Sequence, residues 1–225
     1  MKNNSKSFQP DWTETAPAKK SYRSIFKWGS PEGFKHPNQK LFSELKETFG
    51  LTDEHFRVKQ PEGNETVSFK KAIKLTKAQV KKIAAIVGEN NIGSSEYDRL
   101  KYSTGKTVEE AIQLRNGIVD RVTDLVVHPR SKEDIREIIA YCNRQKIPVY
   151  VFGGGSSVNF GFRPAKGGVT LVMQTHMNKI ISFNEANQTV TVQAGMMGPD
   201  YEDALNNAPE RFNTVHRYTG GHFPQ

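Results

Sequence analysis

Val149-Tyr150-Val151-Phe152-Gly153-Gly154-Gly155-Ser156-Ser157-Val158-Asn159-Phe160-Gly161 is the stretch on which the fold turns. A short apolar run of strand character stops at three consecutive glycines and two serines. Residues without a Cβ let the backbone turn sharply and let another group approach its N–H donors closely. Successive amides facing one concavity form an anion site, and serine hydroxyls add donors at its rim. The local reading is a phosphate or pyrophosphate cradle, and an ordinary Gly-rich turn between strands is the alternative. The pattern is not G-x-x-x-x-G-K-[S/T], because no lysine follows the glycines. Nor does it open a regular helix in the manner of G-x-G-x-x-G, because Asn159, Phe160, Gly161 and Pro164 prolong the loop.

Working outward, the segment before this loop alternates helix and strand signals. Asp124-Leu125-Val126-Val127-His128-Pro129 reads as a short strand ended by proline. Ser131 caps a helix with Asp134 three residues on, and Ile135, Ile138, Ile139 and Cys142 form its inner face. The next strand, Pro148 to Phe152, delivers the glycines. Strand, helix and strand over about thirty residues make a βαβ unit with parallel strands. A loop at the carboxyl end of such a strand is a common ligand site in α/β proteins. After the loop come three strand candidates, Val169–Met173, Lys179–Asn184 and Thr189–Ala194, the last two joined by a hairpin turn. Asp200–Asn207 reads as a short helix. His216 to Gln225 is another Gly-containing loop, after which the sequence reads as cut inside a functional segment.

Before residue 120 the texture is helical. Residues 1–21 are polar and read as a disordered leader, and the aromatic-rich Tyr22 to Pro31 reads as an anchor onto a core built elsewhere. Leu41, Phe42, Leu45 and Phe49 fit one helical face ending at Gly50. Thr76 caps a second helix with an apolar stripe of Val80, Ile83, Ala84 and Val87, and a third spans Val108 to Leu114. Ser103-Thr104-Gly105-Lys106 lacks a preceding apolar strand and reads as the turn before that third helix rather than as a phosphate site. The expected divisions are a leader at 1–21, a helical extension at 22–120 and an α+β domain at 121–225.

The 225 residues carry a net charge of +8, of which residues 1–120 hold +6 and residues 121–225 hold +2. The densest basic run is Lys70, Lys71, Lys74, Lys77, Lys81 and Lys82, with no carboxylate between Thr66 and Gly88. A solvated helix face explains it best. An anionic membrane surface or nucleic acid is the competing reading, although no aromatic interleaving or recognised module supports nucleic acid. One cysteine, Cys142, rules out an internal disulfide framework and reads as a small core residue; no Cys/His spacing suits a metal. The N-terminus lacks the apolar core of a signal peptide, and no run approaches the length of a membrane span. A soluble, cytoplasmic protein is the expectation.

This order of elements resembles the FAD-binding domain of the vanillyl-alcohol-oxidase (PCMH-type) flavoproteins. The residues that carry the likeness are Asp124 through Ser131, Pro148 through Ser157, Met177-Asn178-Lys179-Ile180 and Val192-Gln193-Ala194-Gly195. Within that superfamily the chain is most similar to the alkyldihydroxyacetonephosphate synthase branch. There Phe26-Lys27-Trp28-Gly29, Tyr97-Asp98-Arg99, Ser103 to Lys106, Leu114 to Gly117 and Thr219-Gly220-Gly221-His222 add to the match. The resemblance implies an α+β PCMH-type domain, a βαβ unit plus mixed sheet, truncated here and preceded by a mainly helical extension. It implies FAD as cofactor, held at its pyrophosphate by Val151, Phe152, Gly153, Gly154, Gly155, Ser156 and Ser157, with Gln225 opening a second contact stretch. His222 would then lie near flavin or substrate; a loop histidine with a structural hydrogen bond is the alternative. The remaining flavin contacts, the substrate-binding cap and the catalytic Tyr and His groups of the family fall downstream of Gln225. Expected partners are FAD and a small-molecule or lipid-like substrate, with peripheral membrane association and a homodimer as further expectations and no nucleic acid. The activity implied is that of an FAD-dependent oxidoreductase, or more sharply a synthase-like flavotransferase. A non-catalytic module binding a nucleotide or partner is the competing class.

Overall fold

A computed structural model describes residues 16–29, 33, 37–58, 60–161 and 163–213. His222 and Gln225 lie outside the described residues, as do most of the 1–21 leader and Pro31. The helices are α1 (Tyr22–Phe26), α2 (Gln39–Phe49), α3 (Asp53–Arg57), α4 (Lys77–Val87), α5 (Glu96–Lys101), α6 (Val108–Arg115), α7 (Lys132–Gln145), α8 (Gly198–Asn206) and α9 (Ala208–Phe212). The strands are β1 (Ile92–Gly93), β2 (Leu125–Val127), β3 (Val149–Phe152), β4 (Val169–Val172), β5 (Ile180–Asn184) and β6 (Thr189–Val192). The fold is α+β with a mixed sheet.

The caps read from sequence at Thr76 and Ser131 are in place, and Thr107 is a further one at the start of α6. Thr76 and Thr107 accept from the N–H of Gln79 and Glu110, whose own side chains return to the cap N–H groups. Ser131 accepts from Asp134 N, so α7 starts where its sequence says. α7 buries Ile138 and Cys142 against α4, while Ile139 is 49% exposed. The expected inner face was one residue too wide, since Ile139 turns off the edge of the stripe. The stripe on α2 is less covered still: Phe49 is 67% exposed and no residue of that helix is buried.

The sheet order is β1-β2-β4-β3. β2 and β3 run parallel, but β4 lies between them and pairs with both, Val126 and Tyr150 flanking Thr170. The βαβ unit therefore skips one strand position, which a later strand fills. All four β4 residues are buried, as expected of a central parallel strand covered on both faces. Val151 on the outer strand is 52% exposed. Alternation along the strands builds two cores. Leu125, Val127, Val169 and Leu171 face Ile83, Val87, Ile138 and Cys142, while Val126, Phe152 and Val172 form a smaller cluster on the other face, closed by Tyr102. Burial pushes the Cys142 thiol up to about 11, in keeping with a core residue.

Residues before 120 enter this core directly. α4 supplies Ile83 and Val87, and β1 pairs antiparallel with β2. A separate cluster of Tyr22, Ile25, Phe26, Val67, Leu100 and Leu114 shows that the aromatic segment builds a core of its own, with Ser21 already buried at its start. Asp124 is a buried junction. Its carboxylate accepts from Gly168 N at 2.7 Å and Lys74 N at 3.0 Å, tying the extension to the loop that enters β4. β5 and β6 form a separate antiparallel hairpin.

Candidate cofactor site

β3 ends at Phe152, and the chain turns over its own last side chain. Gly155 has φ +70°, and a Cβ there would collide with the Phe152 ring, so the position requires glycine twice over. That ring stands edge-on to Tyr102 at 5.0 Å between centroids, and Tyr102 is edge-on to His128 at 5.6 Å. The loop therefore rests on an aromatic stack rooted in β2 and α5. A Cβ at Gly153 would lie 3.4 Å from Ala194 O, which places the turn after β6 beside the loop. A Cβ at Gly154 would meet only ordinary contacts, Ser156 Oγ at 3.8 Å and Met197 Sδ at 3.9 Å.

The main-chain N–H groups of Gly153, Gly154, Gly155, Ser156 and Ser157 donate to no acceptor among the described residues. Gly154 and Ser156 are exposed. Five consecutive amides without protein partners, at the carboxyl end of an edge strand, are the donor set that a phosphate or pyrophosphate requires. Ser157 Oγ donates to Asn159 Oδ1 at 3.0 Å, and Gly161 N donates to the same oxygen at 3.1 Å, which closes the loop into a compact turn. Phe160 sits at φ 61°, a strained setting for a bulky residue, with Arg163 over its ring at 4.6 Å.

The loop is also held from outside. Lys106 N donates to Ser157 O at 2.7 Å, and a Cβ at Gly105 would collide with that same carbonyl. The Ser103–Lys106 tetrad is thus the turn before α6, as its sequence suggests, and also a contact of the glycine loop, which the sequence does not announce. Glu110 fixes the turn by accepting from Gly105 N at 3.0 Å, Thr107 N at 3.2 Å and Thr107 Oγ1 at 2.9 Å. Burial pushes the Lys106 ammonium down to about 8, aided by Lys101 and Lys27 and opposed by Glu110.

His128 ends β2 at the same edge of the sheet. Its Nδ1 lies 2.7 Å from Thr175 Oγ1. Burial, then the nearby His176, lower its pKa, so the ring is neutral at pH 7. Among the described residues no group of His, Cys, Asp and Glu could hold a metal ion, and no helix is long and apolar enough to cross a membrane.

Of the residues expected to bind, Gly153 to Ser157 come together in the loop, and Val151 and Phe152 lie in the strand beneath it. The Ser103–Lys106 tetrad reads in sequence as a turn rather than a phosphate site, and Tyr102 carries no site signal of its own, yet the structure brings Gly105, Lys106 and Tyr102 to the loop. Their local sequence spells a turn and a helix end, and only long-range packing brings them to the loop.

Residues 123–214 match the family model described as FAD binding domain. The chain is 29% identical over 126 residues to the glycolate oxidase subunit GlcD of Bacillus subtilis, covering 56% of this chain and 25% of that protein. It is 25% identical over 130 residues to the alkyldihydroxyacetonephosphate synthase of Dictyostelium discoideum, covering 56% and 21%. A mitochondrial D-lactate dehydrogenase [cytochrome] of Kluyveromyces lactis is 34% identical over 85 residues, or 37% and 15%. A solved alkyldihydroxyacetonephosphate synthase structure superposes with a TM-score of 0.58 at 22% identity, covering 62% of this chain and 27% of that one, a likeness of fold. The chain spans between 15% and 27% of the length of these relatives.

Proposed function

We propose, from the premise that residues 123–214 are an FAD-binding domain of the PCMH type, that this chain is the FAD-binding part of a flavin-dependent enzyme and that Gly153 to Ser157 hold the pyrophosphate. The observation that carries this reading is the run of five unpartnered amides at the end of β3. Hydrogen bonds to an anion are the stronger, charge-assisted kind, and donors already fixed in place lose little freedom on binding. FAD, when bound, would supply two-electron chemistry, while Gly153 to Ser157 would hold its pyrophosphate.

Gly154 offers a clean test. A Cβ there makes only ordinary contacts with the Ser156 and Met197 side chains, so Gly154→Val adds bulk to the loop without displacing main chain. Titration of the purified chain with FAD, read by flavin fluorescence, should saturate at one per chain. Gly154→Val should weaken binding at least about tenfold while leaving the thermal midpoint nearly unchanged. Equal flavin affinity in a folded variant, or no flavin binding by the parent chain, would overturn the assignment.

The sharper reading is a synthase-like activity, exchange of an acyl for an alkyl chain on dihydroxyacetone phosphate. The similarity to the Dictyostelium synthase supports it at 25% identity. The similarity to the glycolate oxidase subunit, at 29%, supports a competing reading, oxidation of a small 2-hydroxy acid. Assaying the native gene product for alkyl transfer from a long-chain alcohol, against dye reduction by 2-hydroxy acids, separates the two. Localisation in the cytoplasm and association with a membrane surface through the six exposed lysines of 70–82 belong to the same proposal, and liposome sedimentation with and without anionic lipid tests the latter.

A further inference from the structure

The turn at residues 103–107 touches two segments at once. On one side it holds the glycine loop by main-chain atoms only, Lys106 N to Ser157 O, with Gly105 closely packed on that carbonyl. On the other side, Lys106 Nζ donates to the main-chain oxygen of Ile25 and to that of Lys27, the latter at 3.1 Å. These carbonyls close the carboxyl end of α1, where a cation is favoured. α1 in turn hangs on main-chain bonds, Tyr22 N to Glu65 O at 3.2 Å and Arg23 N to Gly63 O at 2.7 Å, and on its own hydrophobic cluster. Glu110 stiffens the turn between these two attachments through the three donors it accepts. One residue thus joins the docked segment before position 28 to the exit of the anion cradle.

We propose that Lys106 is a positioning residue that couples occupancy of the 153–157 cradle to docking of residues 21–28. The proposal rests on the reading of that loop as the pyrophosphate site. With α1 docked, the Lys106 side chain is anchored, its N–H is fixed, and that N–H holds the Ser157 carbonyl at the end of the glycine loop. With α1 released, the ammonium loses its acceptors in a half-buried position and the turn must shift toward solvent, taking the loop's anchor with it. Equilibrium coupling is reciprocal, so a ligand that favours the closed cradle must also favour the docked segment.

The test is amide hydrogen exchange on the full chain, with and without saturating FAD, in the parent and in Lys106→Met, which keeps the stem and removes the donor. The reporters are the amides of Arg23 and Lys27, bonded to Gly63 O and Arg23 O. In the parent, FAD should slow both by about fivefold or more, although neither touches the cradle. In Lys106→Met, both should exchange faster without ligand, the effect of FAD on them should vanish, and FAD affinity should fall about tenfold. Lys106→Arg, which keeps a charged donor, should restore part of the coupling. A lysine with a purely structural part would change ligand-free exchange but not the response to FAD. Parent chain that binds FAD with no change at Arg23 and Lys27 overturns the coupling and leaves the cofactor reading standing. Parent chain that binds no FAD overturns both.

Discussion

A Cβ at Gly154 would meet only ordinary contacts, Ser156 Oγ at 3.8 Å and Met197 Sδ at 3.9 Å, whereas one at Gly155 would strike the Phe152 ring from a backbone at φ +70°. The two neighbours should therefore respond oppositely. Gly155→Val should cost roughly 2–4 kcal/mol of stability in urea titration, through strain and displacement of Phe152, while Gly154→Val should cost less than about 1 kcal/mol. Equal costs would mean the loop does not hold this shape. Lys106 gives a second expectation at this scale. Its ordinary value is 10.5 and its folded value about 8, so between those pH values the unfolded chain binds the extra proton. Stability should rise with pH across that window by an amount on the order of 1–3 kcal/mol relative to Lys106→Met, and the difference between the two should be flat below about pH 7. A parallel pair of stability curves would refute the burial of this ammonium. The glycine loop was legible because three residues lacking Cβ stand together after an apolar run. Gly105 and Lys106 were not, because each is explained locally by a turn, and only the distant Ser157 carbonyl gives them a second role.

Helix starts were the most legible elements, since a cap is satisfied within four residues of itself. Thr76, Thr107 and Ser131 each accept the N–H three residues on. The same caps differ in consequence. The Thr76 box is exposed, so Thr76→Ala should cost about 1 kcal/mol, near the usual value for a cap. The Thr107 box is buried and shares Glu110 with Gly105, so Thr107→Ala should cost about 2 kcal/mol and also loosen the loop, read as faster exchange at the Lys106 amide. Equal costs at the two sites would show that burial adds nothing. Strand order was less legible. Leu125 to Val127 and Val149 to Phe152 announce themselves as strands in sequence, but pairing depends on which strand can be buried on both faces. Val169 to Val172, apolar apart from Thr170, is the strand that can, and it takes the centre. Helix faces were less legible: the α2 stripe predicts a buried side, and the Phe42 ring does stand 4.7 Å from the Phe56 ring between centroids, yet Leu41 and Phe49 are 46% and 67% exposed.

At the scale of the molecule, the change in sequence texture near residue 120 does not coincide with a gap in packing. Ile83 and Val87 of α4 are fully buried in the same cluster as Leu125, Ile138 and Leu171. Polar ties cross the same point: Arg99 Nε donates to Thr123 O at 2.9 Å, Thr123 N to Ser103 Oγ at 2.8 Å, and Lys74 N to the Asp124 carboxylate at 3.0 Å. Cutting the chain there would expose one wall of the main core, free the outer edge of β2 by removing β1, and leave Thr123 N, Thr123 O and one oxygen of Asp124 without the partners they have in residues 74–103. Each such orphaned group costs about 1–3 kcal/mol, which a domain of ordinary stability cannot lose several times over. Residues 121–225 alone should accordingly show no cooperative thermal transition and should bind a hydrophobic dye, whereas the whole chain should melt in one step. Ile83→Ala, which empties space in the shared core, should lower that single transition by an amount equivalent to about 2–4 kcal/mol rather than split it in two. A sharp, dye-free melt of residues 121–225 would show instead that this part closes its own core, and the coupling of the N-terminal segment to the glycine loop would then have to travel through Lys106 alone.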